Sequence, residues 1–419
     1  MTGNTIRTNR DYRLLLSASS ISNLGDGIAM VALPWLATLM TSDPILIAAV
    51  ATAQRLPWLL FSLPAGVLTD RTDRRLLMVR ADIVRTALMI LTVLLIAARP
   101  DLSAPDVAGP DVAGPSAILS LILIAFLFGS AEVIRDNAAQ TVLPSIVAHG
   151  DLERANGWMW SAEKVCGDFI GPPLAGAMIA ASITLPFGAD ATVYALSALL
   201  IWLIALPPSR PGGHARFIPA LAEGWRWMRA HPTILRLALM LGAINAVFTG
   251  GITILVLYAQ EVLGLTASEY GLLLAFGALG GIAGGMFAPV VGGWLGMRGS
   301  LITALVLFTA VNVTLAIWAT APMAAAALFV EGAAGMLWNV QTVSYRQRMI
   351  PDRLLGRVNS VYRFFGWGAM PLGALGAGAL VSLLSPIMGR EGALHAPYML
   401  AGAVCAGLVL YALARLRFS

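Results

Sequence analysis

Residues 44–98 read PILIAAVATAQRLPWLLFSLPAGVLTDRTDRRLLMVRADIVRTALMILTVLLIAA. Two predominantly apolar runs, 44–68 and 76–98, flank a short turn crowded with Asp70, Arg71, Asp73, Arg74 and Arg75. A helix that crosses a bilayer needs about 20 apolar residues. The pattern therefore reads as two spans joined where the chain re-enters water.

The rest of the chain extends this reading. Its 419 residues are 58% hydrophobic and only 12% charged, with a mean hydropathy of +0.79. Soluble domains carry about 25% charged residues. So few charges cannot cover a water-facing surface. In lipid only helices and closed barrels satisfy the backbone, and the runs are too long for barrel strands of about ten alternating residues. The fold class expected is an all-α membrane protein with transmembrane helices near 12–40, 44–68, 76–98, 116–141, 157–182, 188–206, 233–260, 268–293, 300–319, 322–345, 357–384 and 395–415.

An even number of spans puts both termini on one side. Arginines concentrate on that side at Arg7, Arg10, Arg13, Arg71, Arg74, Arg75, Arg80, Arg154 and Arg210, and later at Arg298, Arg346, Arg348, Arg415 and Arg417. The other side holds Arg99 and Arg390 among acids such as Asp43, Asp101, Glu261 and Glu269. The positive-inside rule then makes both termini cytoplasmic and places the protein in the cell's inner membrane. It also accounts for the net charge of +5 without a nucleic-acid partner. No cleavable signal peptide is expected, because the first apolar segment is long and its leader polar.

The chain divides into residues 1–206, a cytoplasmic linker at 207–232 and residues 233–419. Pro207, Pro208, Pro211, Gly212 and Gly213 break helices in the linker. Phe217, Leu221, Trp225 and Met228 follow at helical spacing, an amphipathic helix suited to the membrane interface. Gln140…Pro144 with Arg154-Ala155-Asn156 is echoed by Gln347…Pro351 with Arg357-Val358-Asn359. Related halves of this kind place a substrate path between them. Asp106–Pro110 is duplicated at Asp111–Pro115 and reads as a slack connector. Cys166 and Cys405 fall in different helices as small packing residues. There is no Cys/His cluster with metal spacing, and no nucleotide loop or nucleophile constellation, so neither an enzyme nor a bound cofactor is expected.

The turn quoted first, Gly66-Val67-Leu68-Thr69-Asp70-Arg71-Thr72-Asp73-Arg74-Arg75, resembles the signature loop of the major facilitator superfamily, GxLaDRxGRkxxl. Gly66, Leu68, Asp70, Arg71, Arg74 and Arg75 match, and Asp73 stands in place of a glycine. The resemblance implies two pseudo-symmetric six-helix bundles. It also implies a cytoplasmic latch in which Asp70 faces the N-terminus of the eleventh helix near Gly356–Asn359. Gly167-Asp168-Phe169-Ile170-Gly171-Pro172-Pro173-Leu174-Ala175-Gly176 resembles the antiporter motif gxxxGPxxGG, with Ala175 at the first of the paired glycines. Gly167 and Gly171 form a small-residue face that equally suits generic helix packing. Asn23-Leu24-Gly25-Asp26-Gly27 and Ala81-Asp82-Ile83-Val84-Arg85 add likeness to the macrolide-efflux and enterobactin-exporter branch. What the family implies is proton-coupled export.

Ionisable groups inside a span usually face a cavity or a partner. Ser19, Ser22, Asn23 and Asp26 form one stripe on the first helix, and Glu331, Gly335, Trp338, Asn339 and Thr342 form another on the tenth. Asn245, Thr249 and Thr253 repeat the pattern on the seventh. Asp26, then Glu132 and Glu331, are the candidates to exchange a proton for substrate. The competing reading makes them structural ion pairs: Asp26 with Arg55, Glu132 with Lys164, and Arg74 with Asp136. Lys164 and Asp168 are also spaced to pair. Candidate substrate-cavity residues are Asn23, Asp26, Trp160, Asn245, Thr249, Glu331, Trp338 and Asn339.

The function expected is a monomeric secondary active transporter that uses the proton gradient to export a small amphipathic compound. Its partners are that molecule, protons and the lipid bilayer. An importer of the same fold is the alternative.

Overall fold

The computed structural model describes the backbone of residues 9–99, 114–148, 151–205 and 217–416. Side chains at 62–71, 114–115, 153, 217–221 and 352–353 are not described. The duplicated connector up to residue 113 and linker residues 207–216 lie outside the described residues. So do the side chains of the latch candidates Gly66, Asp70 and Arg71.

Six helices build the first part of the chain: α1 (Arg10–Met40), α2 (Pro44–Arg71), α3 (Arg74–Ala97), α4 (Gly114–Ile146), α5 and α6 (Leu185–Trp202). α5 begins as Leu152–Ala162, widens to a π-helix over Glu163–Ile170 and resumes as Gly171–Ala181. Then come the amphipathic α7 (Phe217–Ala230) and α8 (Pro232–Leu257), which ends in a π turn at Tyr258–Val262. α9 (Ala267–Ile317), α10 (Ala321–Met349), α11 (Asp352–Gly368) and α12 (Met370–Arg415) complete the chain.

At 1.5 Å per residue, the 51 residues of α9 would far exceed the thickness of a bilayer. α9 is broken at Gly296, where φ is +63°, and α12 at Gly389, where φ is +77°. Each therefore supplies two segments, and the breaks fall between the expected ninth and eighth spans and the expected eleventh and twelfth. Left-handed backbone is cheap only for glycine. Eight helices among the described residues are long and apolar enough to cross a membrane, with α9 and the α11–α12 run each counted as one. α3 falls outside that number because it carries Arg80, Asp82 and Arg85 within one apolar stretch.

The helix starts are written in the sequence. Asn9 accepts the Tyr12 N–H at 3.0 Å, and Asp43 accepts that of Ile45 at 2.8 Å ahead of Pro44. Asp73 accepts the Leu76 N–H at 3.1 Å. Asp73 thus caps α3 with φ −63° and ψ 113°. The position where the signature loop usually has glycine needs no left-handed backbone here, and a carboxylate there complements the helix dipole.

By contact the chain forms two compact units: Met1–Gly213 with Thr266–Ala275, and His214–Leu265 with Phe276–Ser419. α7 belongs to the second. In the first unit α2 packs along α4, α3 on α4 and α6, and α1 on α5 and α6. In the second, α8 packs along α12 and α11.

The α1–α5 contact explains the small-residue face of α5. A Cβ on Gly171 would lie 2.7 Å from the Gly27 Cα, and one on Gly27 would lie 2.9 Å from the Gly167 carbonyl carbon. The two backbones touch. Pro172 and Pro173 follow at once. A proline inside a helix lacks an N–H and clashes with the carbonyl four residues back, and the π widening just before the pair relieves that clash. Within the first unit Gly176 likewise lies against Ala267 and Ser268, and Gly271 against Pro172.

Gly27→Leu is expected to destabilise the chain by about 1–3 kcal/mol through overpacking, read from unfolding of purified protein in detergent. Gly157→Leu is the control, because nothing lies within 4 Å of its added Cβ. Equal losses for both would contradict the backbone contact.

Candidate functional site

The first unit buries a polar network in a place where the backbone is already satisfied by helices. Arg85 of α3 is fully buried. It pairs with Asp26 of α1, donates to Ser22 Oγ at 2.9 Å and lies 3.4 Å from Asp82 Oδ1 one turn back. Its guanidinium sits over the Tyr194 ring at 3.9 Å and the Phe128 ring at 4.9 Å. The Tyr194 hydroxyl, from α6, donates to Asp26 Oδ1 at 3.1 Å. Asp82 is held on its other side by the Ser197 hydroxyl at 2.7 Å. Arg135 of α4 lies 3.8 Å from Asp82. It also reaches Asp136 and Ser19, each at 3.3 Å. Five helical turns on four helices thus converge on two guanidinium groups.

Asp26 keeps 20% of its side chain exposed, whereas Asp82 and Arg85 keep none. Asp26, like Asp136 at 27%, is thus a partly exposed carboxylate at the edge of the network, and it is the one paired directly with Arg85. Two further carboxylates border it. Glu132 accepts from Trp58 Nε1 at 3.4 Å and has Arg55, Arg85 and Asp136 as charged neighbours. Asp190, one turn before Tyr194, is fully buried, and neither of its oxygens accepts a hydrogen bond.

Three expected ion pairs are corrected. Asp26 pairs with Arg85 and not Arg55, whose guanidinium reaches Met30 Sδ at 3.8 Å. Glu132 meets Trp58 and not Lys164, which pairs with Asp168 at 2.8 Å as its spacing predicts. Arg74 does not reach Asp136. It donates to the Thr141 carbonyl at 2.8 Å, and Arg75 donates to the Ile204 carbonyl at 3.2 Å while lying over Trp202. These two arginines of the signature loop thus satisfy carbonyls near the ends of α4 and α6, a favourable place for positive charge. Depth along a helix is legible from sequence. Azimuth is not, and azimuth decides which partner is met.

The remaining candidates are placed as follows. The Asn23 backbone lies under Gly167. Trp160 is 66% exposed. In the second unit Asn245 donates to the Gly366 carbonyl at 2.8 Å, and the Thr249 hydroxyl is buried without a partner. Trp338 is buried with its indole N–H unpartnered, and the Asn339 carbonyl accepts from Thr342 at 3.2 Å. Glu331 faces a small internal cavity with Asn312 and Tyr398. Of the cavity candidates in the first unit, only Asp26 belongs to the charge network. Asp82, Arg85, Asp190 and Tyr194 belong to the site although they are not among the candidates read from the sequence. The available signal was an aspartate and an arginine at i,i+3 in an otherwise apolar span, and Asp190 with Tyr194 at i,i+4 in another.

Among the described residues the fold is all helical, in two units, and charges buried inside a membrane bundle mark substrate or ion pathways, as a transporter requires. The chain belongs to the major facilitator family described as transmembrane secretion effectors, which it matches over residues 6–417. It is 26% identical over 385 residues to the multidrug efflux pump Tap of Mycolicibacterium fortuitum, covering 88% of each chain. It is 28% identical over 427 residues to the Tap pump of Mycobacterium tuberculosis (strain ATCC 25618 / H37Rv), covering 96% of this chain and 93% of that one. Among solved structures it is similar to a bacterial homologue of the iron transporter ferroportin, with a TM-score of 0.72 at 16% identity over 96% of this chain and 98% of that one. It is also similar to the nucleoside transporter NupG, with a TM-score of 0.71 at 12% identity over 97% and 100%.

Arg85→Gln is expected to cost about 3–5 kcal/mol, because it strands buried carboxylates. Adding Asp82→Asn is expected to recover part of that loss in a double-mutant cycle, measured by denaturant titration in detergent. Strict additivity would show that the two side chains do not act as a pair.

Proposed function

We propose that this chain is a proton-coupled exporter of small amphipathic compounds, acting by alternating access in the cell's inner membrane with both termini cytoplasmic. The observation that carries the reading is the buried network around Arg85. Asp26, Asp82, Glu132, Asp136 and Asp190 outnumber Arg55, Arg85 and Arg135 in one bundle. Unbalanced charge is costly where water is absent, and protons are the ligands that balance an excess of carboxylates. Asp26 is the partly exposed carboxylate that pairs directly with the sealed Arg85, so it is the group assigned to load and release the proton. Glu132 is the second candidate in the same unit.

Protonating Asp26 removes the charge that Arg85 faces. Arg85 is then left to Asp82 and Ser22, and the joint between α1, α3 and α6 changes its preferred arrangement. A ligand or proton shifts a conformational equilibrium only through such differential interaction. The efflux pumps among the relatives and the glycine-proline motif of α5 support the outward direction over import. The chain is read as a monomer whose energy source is the proton gradient.

The test is drug-dye efflux from energised cells, or uptake into everted vesicles, with Asp26→Asn. Proton-driven transport is expected to fall at least about tenfold, which is about 1.4 kcal/mol of coupling. Substrate counterflow without a gradient is expected to persist. Unchanged proton-driven transport in Asp26→Asn would remove Asp26 from the mechanism.

A further inference from the structure

The second unit carries a counterpart of the signature loop that has lost its acids. Gly293, Leu295 and Arg298 keep the spacing of Gly66, Leu68 and Arg71, but Met297 stands where the first unit has Asp70, and Ser300 where it has Asp73. The arginines nearby are left without carboxylates. Arg298 donates to the Leu413 carbonyl at 2.7 Å. Arg348, near the end of α10, uses its Nε on the Ser344 carbonyl of its own helix at 3.3 Å. Both are exposed, and neither makes an ion pair with a described residue.

Met297 lines an open groove of about 660 Å³ between α9 and α10. At the floor Gln341 Nε2 donates to the Ala288 carbonyl at 3.2 Å and ties the two helices together. Pro289, Met297 and Val340 supply apolar wall. Ser344, Gln347 and Arg348 supply polar wall and share one face of α10 at i, i+3 and i+4. The side chains of Ser344 and Gln347 have no hydrogen bond to a described residue, and the two terminal nitrogens of Arg348 are also uncommitted. The groove thus offers a hydroxyl, an amide and a guanidinium, with no carboxylate in its lining. Trp294 beside it is 82% exposed, as suits a ring anchored at a membrane interface.

We infer that this groove binds one anionic phospholipid, its phosphate held by Ser344, Gln347 and Arg348 and its acyl chain laid along Pro289, Met297 and Val340. An ionised phosphate diester offers acceptors to these donors, and it matches the planar fork of a guanidinium. Basic pockets between membrane helices take anionic headgroups in this way. The ammonium of a zwitterionic lipid would find no acid here. Methionine in place of the first unit's aspartate removes a charge that would repel phosphate, and it adds apolar surface for the chain. The inference goes beyond the export reading and does not depend on it, because lipid binding in detergent requires neither transport nor a direction.

The test is native mass spectrometry of the delipidated full-length chain, titrated with phosphatidylglycerol or with phosphatidylcholine of the same acyl chains. One tightly held phosphatidylglycerol per chain is expected, at least about tenfold tighter than phosphatidylcholine. Arg348→Gln is expected to lower phosphatidylglycerol affinity about tenfold. Arg229→Gln, which removes another exposed charge of the same unit, is expected to leave it unchanged. Glycerol phosphate, which has the headgroup chemistry without the chains, is expected to compete only at far higher concentration. Four outcomes would overturn the inference: equal affinity for the two lipids, no loss in Arg348→Gln, an equal loss in Arg229→Gln, or glycerol phosphate competing as well as the lipid. The lipid comparison and the competition use the unaltered chain, so they decide the matter even if a variant does not fold.

Discussion

A guanidinium sealed from water has to find its hydrogen bonds and its counter-charge within reach of its own side chain, and Arg85 sets that requirement at the centre of the first unit. Ser22 and Asp26 come from α1, Asp82 from its own helix, and Tyr194 offers a ring face from α6. Asp82 in turn needs Ser197 and Arg135, and Arg135 needs Ser19 and Asp136. Each partner recruits the next until four helices are committed. In hydrocarbon, apolar side chains give little preference for one helix face over another, since lipid is as apolar as leucine. The polar contacts therefore fix the azimuth of these helices, and glycines set how closely the helices approach.

That division of labour bears on function. A network held together by opposite charges is stable while its charges stand, and a single protonation at a partly exposed member alters several contacts at once. Asp26 has this position because it combines an arginine partner, a tyrosine donor and a remaining exposed edge. Glu331 has none of these partners. The two units thus carry different polar chemistry, although Gln140…Pro144 with Arg154-Ala155-Asn156 is echoed by Gln347…Pro351 with Arg357-Val358-Asn359.

Much of the fold was legible in the sequence. Span length, apolar runs and helix-capping residues such as Asp43 and Asp73 are local properties, and local properties survive reading one residue at a time. The interruption of α9 at Gly296 and of α12 at Gly389 also falls where the expected spans break. The candidate site was legible only in part. The stripe Ser19, Ser22 and Asp26 could be seen from i,i+3 and i,i+4 spacing, but its partner could not. Asp26 and Arg55 read at similar depths from the sequence, and the choice between Arg55 and Arg85 depends on how α2 and α3 are turned. Asp190 gave less signal still, since a lone aspartate in an apolar helix looks the same whether it is paired, exposed or orphaned.

The bare junction between α1 and α5, where Gly27 meets Gly167 and Gly171, leaves no layer of side chains to slide or repack. Close backbone contact of this kind couples the positions of the two helices at that seam. The carboxylate one residue before Gly27 thus sits beside a seam without intervening side chains, so a shift of α1 at Asp26 would meet the α5 backbone directly.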